Sequence, residues 1–232
     1  HECGLEMPKL AAAPTLGDLY GAYEALFRRD DDAPHPKVLE LLEVLLVALE
    51  PLPSSLLQQM GLEVHLEALP GWGTLFYIAE HRVYTLHKSL TDWLHLKVVG
   101  SGGGGRSAWR ARLGRGHETL GKHLLEFEIR PAASPAGDTP GIEASEYALK
   151  YAVTHLAMSA SATRSASTPT IAPLDEAMGQ WDFLKQVFRA GHGGKVVKAL
   201  GEQDRALSTA GGLPEYSKDA LRWLQRCFSD FE

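Results

Sequence analysis

Cysteine is nearly absent. Only Cys3 and Cys227 occur among 232 residues. Two thiols cannot build a disulfide framework, so a reducing, cytoplasmic setting is the expectation. Long apolar runs are missing too. The longest stretch, Val38 to Leu49, is interrupted by Glu40 and Glu43, whereas a membrane helix needs about 18 or more apolar residues in a row. No signal-peptide pattern is present. Basic excess is also lacking: 23 Lys and Arg stand against 29 Asp and Glu, a formal net charge of −6. Non-specific nucleic-acid affinity needs a basic face, so the balance argues against a general polyanion binder. What remains is an ordinary globular composition, 44% hydrophobic and 22% charged. The length suits one large domain or two small ones, and a chain of this size can bury a core. The chain opens on His1 rather than Met and is read as a piece of something longer, or as a processed product.

Hydrophobic periodicity sets out the organisation. After an extended leader, Thr15 is an expected N-cap, and Leu16, Leu19, Tyr20, Tyr23, Leu26 and Phe27 recur at helical spacing. A second helix is expected over about 37–50, stopped by Pro51 and Pro53. A short one holds Leu56, Leu57 and Met60, and a third holds Leu62, Leu66 and Leu69. The period then changes. Thr74–Ile78 and Arg82–Leu86 are β-rich runs around Ala79-Glu80-His81, a hairpin signal without an Asn-Gly turn. Helix resumes over about 87–97. Three helices, a hairpin and a helix is the order of a winged-helix domain. Gly100 to Gly105 reads as a flexible linker, followed by Arg106, Arg110, Arg112 and Arg115. Further helices are expected over 116–129, 143–158, 174–189, 195–200 and 214–231, with Pro-, Ser- and Ala-rich loops at 131–141 and 159–173. The expected inward spacings are Leu174, Met178, Trp181, Leu184 and Phe188, then Tyr216, Ala220, Trp223, Cys227 and Phe231. Stacked helices of this size suit a solenoid or a bundle.

Few motifs carry chemistry. Gly100-Ser-Gly-Gly-Gly-Gly105 fits G-x-G-x-x-G, but the βαβ units of a dinucleotide fold are lacking. Gly191-His-Gly-Gly-Lys195 resembles a phosphate loop, yet Arg189 and Val196 replace its first Gly and final Ser or Thr, so a glycine helix cap is the reading. His117, Glu118 and His123 invite a metal reading. Zinc-protease histidines sit four apart, and six positions is about 600° of helical rotation, which splays these two. The third helix, Leu62-Glu-Val-His-Leu-Glu-Ala-Leu69, carries two Glu and no Lys or Arg, which disfavours a role in a major groove. Nothing supports a hydrolase or an autonomous enzyme.

The most specific stretch is Arg82-Val-Tyr-Thr-Leu-His87-Lys-Ser-Leu-Thr-Asp-Trp-Leu94. It resembles the end of the winged-helix domain in STAND-class NTPases, above all the NACHT type carrying WD or ankyrin repeats, where a hairpin strand runs into a His-Lys-Ser-hydrophobic-x-Asp-Trp-Leu helix. Thr15-Leu-Gly-Asp-Leu-Tyr20 resembles the helix leading into that domain, Leu41 to Leu57 its opening, and Gly116-His-Glu-Thr-Leu120 the start of the next helix. Tyr147 to Leu156 and Trp181-Asp-Phe-Leu184 resemble the helical domain that follows. The likeness spans about residues 15 to 230.

The resemblance implies a mainly α protein. A leader and lead-in helix occupies 1–35, a winged-helix domain 36–98, a Gly/Arg-rich linker 99–115 and a helical array 116–232. It implies that His87 senses nucleotide in the full-length context, contacting the β-phosphate of ADP held by an upstream nucleotide-binding domain. Plant-type relatives carry Met-His-Asp where this chain has Leu86-His87-Lys88. Asp92 and Trp93 are expected to pack, Trp93 under the hairpin. The Walker loop and the magnesium-binding acid would lie upstream, so no cofactor, metal or catalytic residue is expected in this chain. The implied role is regulatory coupling to protein partners through a downstream repeat domain, with homo-oligomerisation in the full-length context. The alternative from another class is a nucleotide-independent helical scaffold in a protein assembly, a cytoskeletal one among others.

Overall fold

The computed structural model describes residues 16–27, 35–85, 89–93, 112–129, 142–162, 172–208, 213 and 215–229. The leader, Gly100–Gly105, Arg106, Arg110, Leu86, His87 and Lys88 lie outside these. The described residues are mainly helical, with one small antiparallel sheet. They fall into two compact units.

In its described residues the first unit holds α1 (Leu16–Phe27) and a short helix over 89–93, α4. Tyr23 and Phe27 of α1 and Leu90 and Trp93 of α4 are buried. The Trp93 ring centroid lies 5.7 Å from Tyr23 and 5.6 Å from Phe27. Both of these rings belong to α1. Asp92 is exposed and so does not pack as expected.

The second unit opens with α2 (Pro36–Val47), which starts on Pro36 with His35 Nδ1 accepting from the Lys37 amide. Pro at the first helical position costs nothing, because its missing N–H would have no helical partner. Beyond it come β1 (Leu52–Pro53), α3 (Ser54–Gln59), a 3-10 helix (Glu63–Ala68), β2 (Phe76–Ala79) and β3 (Arg82–Thr85). The third expected helix is therefore 3-10. It ends at Leu69, which is extended ahead of Pro70. Strand order is β1-β3-β2, with Leu52 opposite Val83 and Ile78 opposite Val83 from the other side. β1 was not expected, since it lies in the Pro-Leu-Pro stop. Proline is tolerated there because β1 is an edge strand.

The remaining helices are α5 (Leu113–Ile129), α6 (Ile142–Ala162), α7 (Ala172–Gly179), α8 (Trp181–Arg189), α9 (Gly193–Leu207) and α10 (Glu215–Ser229). α6 outruns its expected end because Ser159 and Ala160, small enough for close packing, are buried. The single helix expected over 174–189 is broken at Gln180, directly after Gly179, the weakest helix former in the stretch. Gly191, at φ 78°, caps α8, with the His192 amide bonded to Val187 O at 3.0 Å.

α6 is the central element, in contact with α5, α7, α8, α9 and β1, while α2 packs on α5. α6, α9, α10 and α7 touch in a closed ring. A solenoid repeat touches only its sequence neighbours, so this is bundle packing. Leu42, Leu120, Leu124 and Leu174 are fully buried in this core; truncating any one to Ala costs about 2–5 kcal/mol. The rotation of α10 differs from the expected one. Ser217, Leu221 and Leu224 are buried, while Tyr216 and Trp223 are exposed. Ser217 Oγ donates to Asp175 of α7 in a part-buried bond on this inward face. Trp181 likewise faces outward, leaving Phe183, Leu184 and Val187 as the buried side of α8.

Candidate functional site

His87, the residue expected to sense nucleotide, lies outside the described residues. Its motif is described from Ser89 onward. Ser89 is buried and its hydroxyl lies 2.8 Å from Tyr23 Oη. Ser89 and Trp93 thus fasten α4 onto α1, and Leu90 is buried as well.

The histidines considered for metal behave differently. His117 turns into the core, Glu118 pairs with Lys122 at 2.5 Å, and His123 is half-buried. Among the described residues there is no group of three or more His, Cys, Asp or Glu able to hold a metal. His117 Nδ1 instead meets His155 Nδ1 at 2.8 Å. His155 Nε2 lies 3.1 Å from Tyr147 Oη, which accepts from the Leu49 amide at 3.1 Å. A polar chain therefore runs from the residues after α2, through α6, to α5. One proton lies between the two Nδ1 atoms, so one ring donates there and the other accepts. Burial keeps both rings neutral. It holds His117 down at about 4, and His155, fully buried beside it, well below the ordinary imidazole range. Burial likewise raises the Tyr147 phenol.

Two ionic clusters flank this chain. Glu43 of α2 is 1% exposed; it accepts from the Arg112 amide at 2.9 Å and faces the Arg112 and Arg115 guanidiniums at 3.8 and 3.6 Å. Burial raises its pKa, and these partners oppose the rise only in part. Arg112 and Arg115, expected in or beside a solvated linker, thus fasten α5 to α2. Glu50 takes Lys150 Nζ and, at 2.5 Å, the Tyr151 hydroxyl; Lys195 Nζ sits 4.5 Å from the Tyr151 ring centroid. Burial alone would raise the Glu50 pKa, but bonds from Lys150 and Tyr151 outweigh it and bring it below the ordinary value.

Two surface features are open to other molecules. Trp181 and Trp223, 51% and 49% exposed, meet edge to face at 5.4 Å, and Tyr216 is more exposed still. A groove of about 590 Å³ is lined by Gly201, Asp204, Arg205, Lys218, Leu221, Arg222 and Gln225.

No family model, curated protein or solved structure matches the chain. Tyr147, Tyr151 and His155 were not singled out from sequence, although their spacing of four places them on one helical face. The partners of that face, Leu49, Glu50 and His117, lie far away in sequence, and no local pattern announces them.

Proposed function

We propose that the chain is a non-catalytic coupling segment of a larger NACHT-like NTPase, relaying nucleotide state from an upstream domain to a downstream partner-binding repeat domain. In this reading 36–98 is the winged helix and His87 donates an N–H to the β-phosphate of ADP on the upstream domain, more strongly when protonated. Loss of that contact frees the winged helix to move as a rigid body and carry the helical array with it.

The observation that carries the reading is the pairing of two separate stretches that resemble the family. The lead-in helix and the His-Lys-Ser-Leu-Thr-Asp-Trp stretch come together through Tyr23 and Ser89, and Phe27 and Trp93 close the contact. Packing accounts for the Ser, Leu and Trp of the motif. The order α2, β1, α3, 3-10 helix and β2–β3 hairpin also accords with a winged helix.

The test is His87→Ala in the native polypeptide. The share of ADP retained through gel filtration should fall while the helical circular dichroism is unchanged. Retention equal to wild type sinks the proposal. A second reading is a nucleotide-independent scaffold in a protein assembly. The exposed Trp181–Trp223 pair favours it, since paired exposed aromatics mark contact surfaces. It requires the Trp181→Ala/Trp223→Ala variant to sediment as a smaller species than wild type.

A further inference from the structure

We propose that the groove between α9 and α10 binds a small, multiply charged anion of the pyrophosphate class. Its lining holds three cations, Arg205, Lys218 and Arg222, and one carboxylate, Asp204. The cations come from both helices, so one anion between them would tie α9 to α10. Asp204 is engaged elsewhere, accepting from the Leu213 amide at 3.2 Å. Arg222 shares one amino group with Asp219 at 2.9 Å. Arg205 Nε donates to Gly201 O at 3.2 Å, which pins the guanidinium along the groove wall. A planar, pinned guanidinium suits the paired oxygens of a phosphate group.

Gly201 is the second observation. It sits mid-helix in α9, where glycine costs about 1 kcal/mol relative to alanine. A Cβ there would meet nothing within 4 Å, so packing does not demand the glycine. What its missing side chain provides is groove volume. At about 590 Å³ the groove falls within the usual range for small-ligand sites and exceeds the needs of one phosphate. A diphosphate, free or borne on a small molecule, matches both the room and the charge.

The probe is inorganic pyrophosphate, titrated calorimetrically into the 232-residue chain at about 0.15 M salt, where loose surface attraction is screened. Orthophosphate is run alongside. Saturable pyrophosphate binding, tighter than orthophosphate, is expected. Gly201→Leu fills the groove without changing charge, and Arg205→Gln/Lys218→Gln removes charge without filling it. Each should weaken binding about tenfold or more. Thermal melts report whether each variant is folded; if Gly201→Leu is not, the charge variant decides. Absence of saturable binding, or binding to folded Gly201→Leu equal to wild type, overturns the proposal.

Discussion

His117 and His155 meet nitrogen to nitrogen, Nδ1 to Nδ1 at 2.8 Å, in the buried seam between α5 and α6. A single hydrogen joins these two nitrogens, and burial keeps both rings uncharged. Folding lowers these pKa values, so the unfolded chain binds more protons under mild acid. The stability tied to neutrality is present above the unfolded value of 6.5 and drains away as pH falls toward about 4 for His117. Its full loss amounts to about 3 kcal/mol. Urea midpoints should drop steeply between pH 6.5 and 4.5, and His117→Phe should flatten that slope. A midpoint independent of pH over this range would contradict the neutral pair.

Gly116 brings α5 against α2 at backbone distance. A Cβ there would lie 2.3 Å from Glu43 O, a main-chain atom that cannot swing aside. Gly116→Ala should cost about 3 kcal/mol or more. Gly201→Ala should do the reverse and stabilise by about 0.5–1 kcal/mol, since nothing opposes its methyl. Denaturant unfolding of the two variants gives opposite signs if the helix contacts are right.

The hairpin between β2 and β3 turns on Glu80 and His81, at φ 48° and 58°. Both occupy the left-handed region that L residues avoid. Ser54 holds the turn from outside, with its amide and hydroxyl donating to His81 O at 2.8 and 2.9 Å. Replacing Glu80-His81 by Asn-Gly should therefore raise stability by about 1 kcal/mol and shift the melting temperature up by a few degrees.

Tyr23 Oη and Ser89 Oγ, 2.8 Å apart, hold α4 onto α1. Tyr23→Phe should cost about 1 kcal/mol, felt locally. Hydrogen exchange should quicken in the amides of α4 and stay unchanged in α6.

Helix existence was legible in the sequence wherever the apolar spacing was long and unambiguous, as in α1, α2, α5 and α6. Rotation about the helix axis was not. On α10 the aromatic stripe Tyr216–Trp223 and the stripe Ser217–Leu221–Leu224 are equally periodic, and the choice between them rests on partners from other helices, such as Asp175, that local spacing does not show. A break was misread where a single residue decided it, as at Gly179. The buried His117–His155–Tyr147 chain was illegible for a related reason. His117 had been weighed with its sequence neighbours Glu118 and His123, whereas its partner lies 38 residues away.

The coupling reading stands or falls on what the native polypeptide carries ahead of this segment. The decisive measurement is its intact mass with a complete peptide map, taken from the natural source. The expected result is an extension of some hundreds of residues upstream that contains G-x-x-x-x-G-K-[ST], the loop that cradles nucleotide phosphates. A native chain that begins near His1 would leave His87 no nucleotide to sense and would contradict the coupling role.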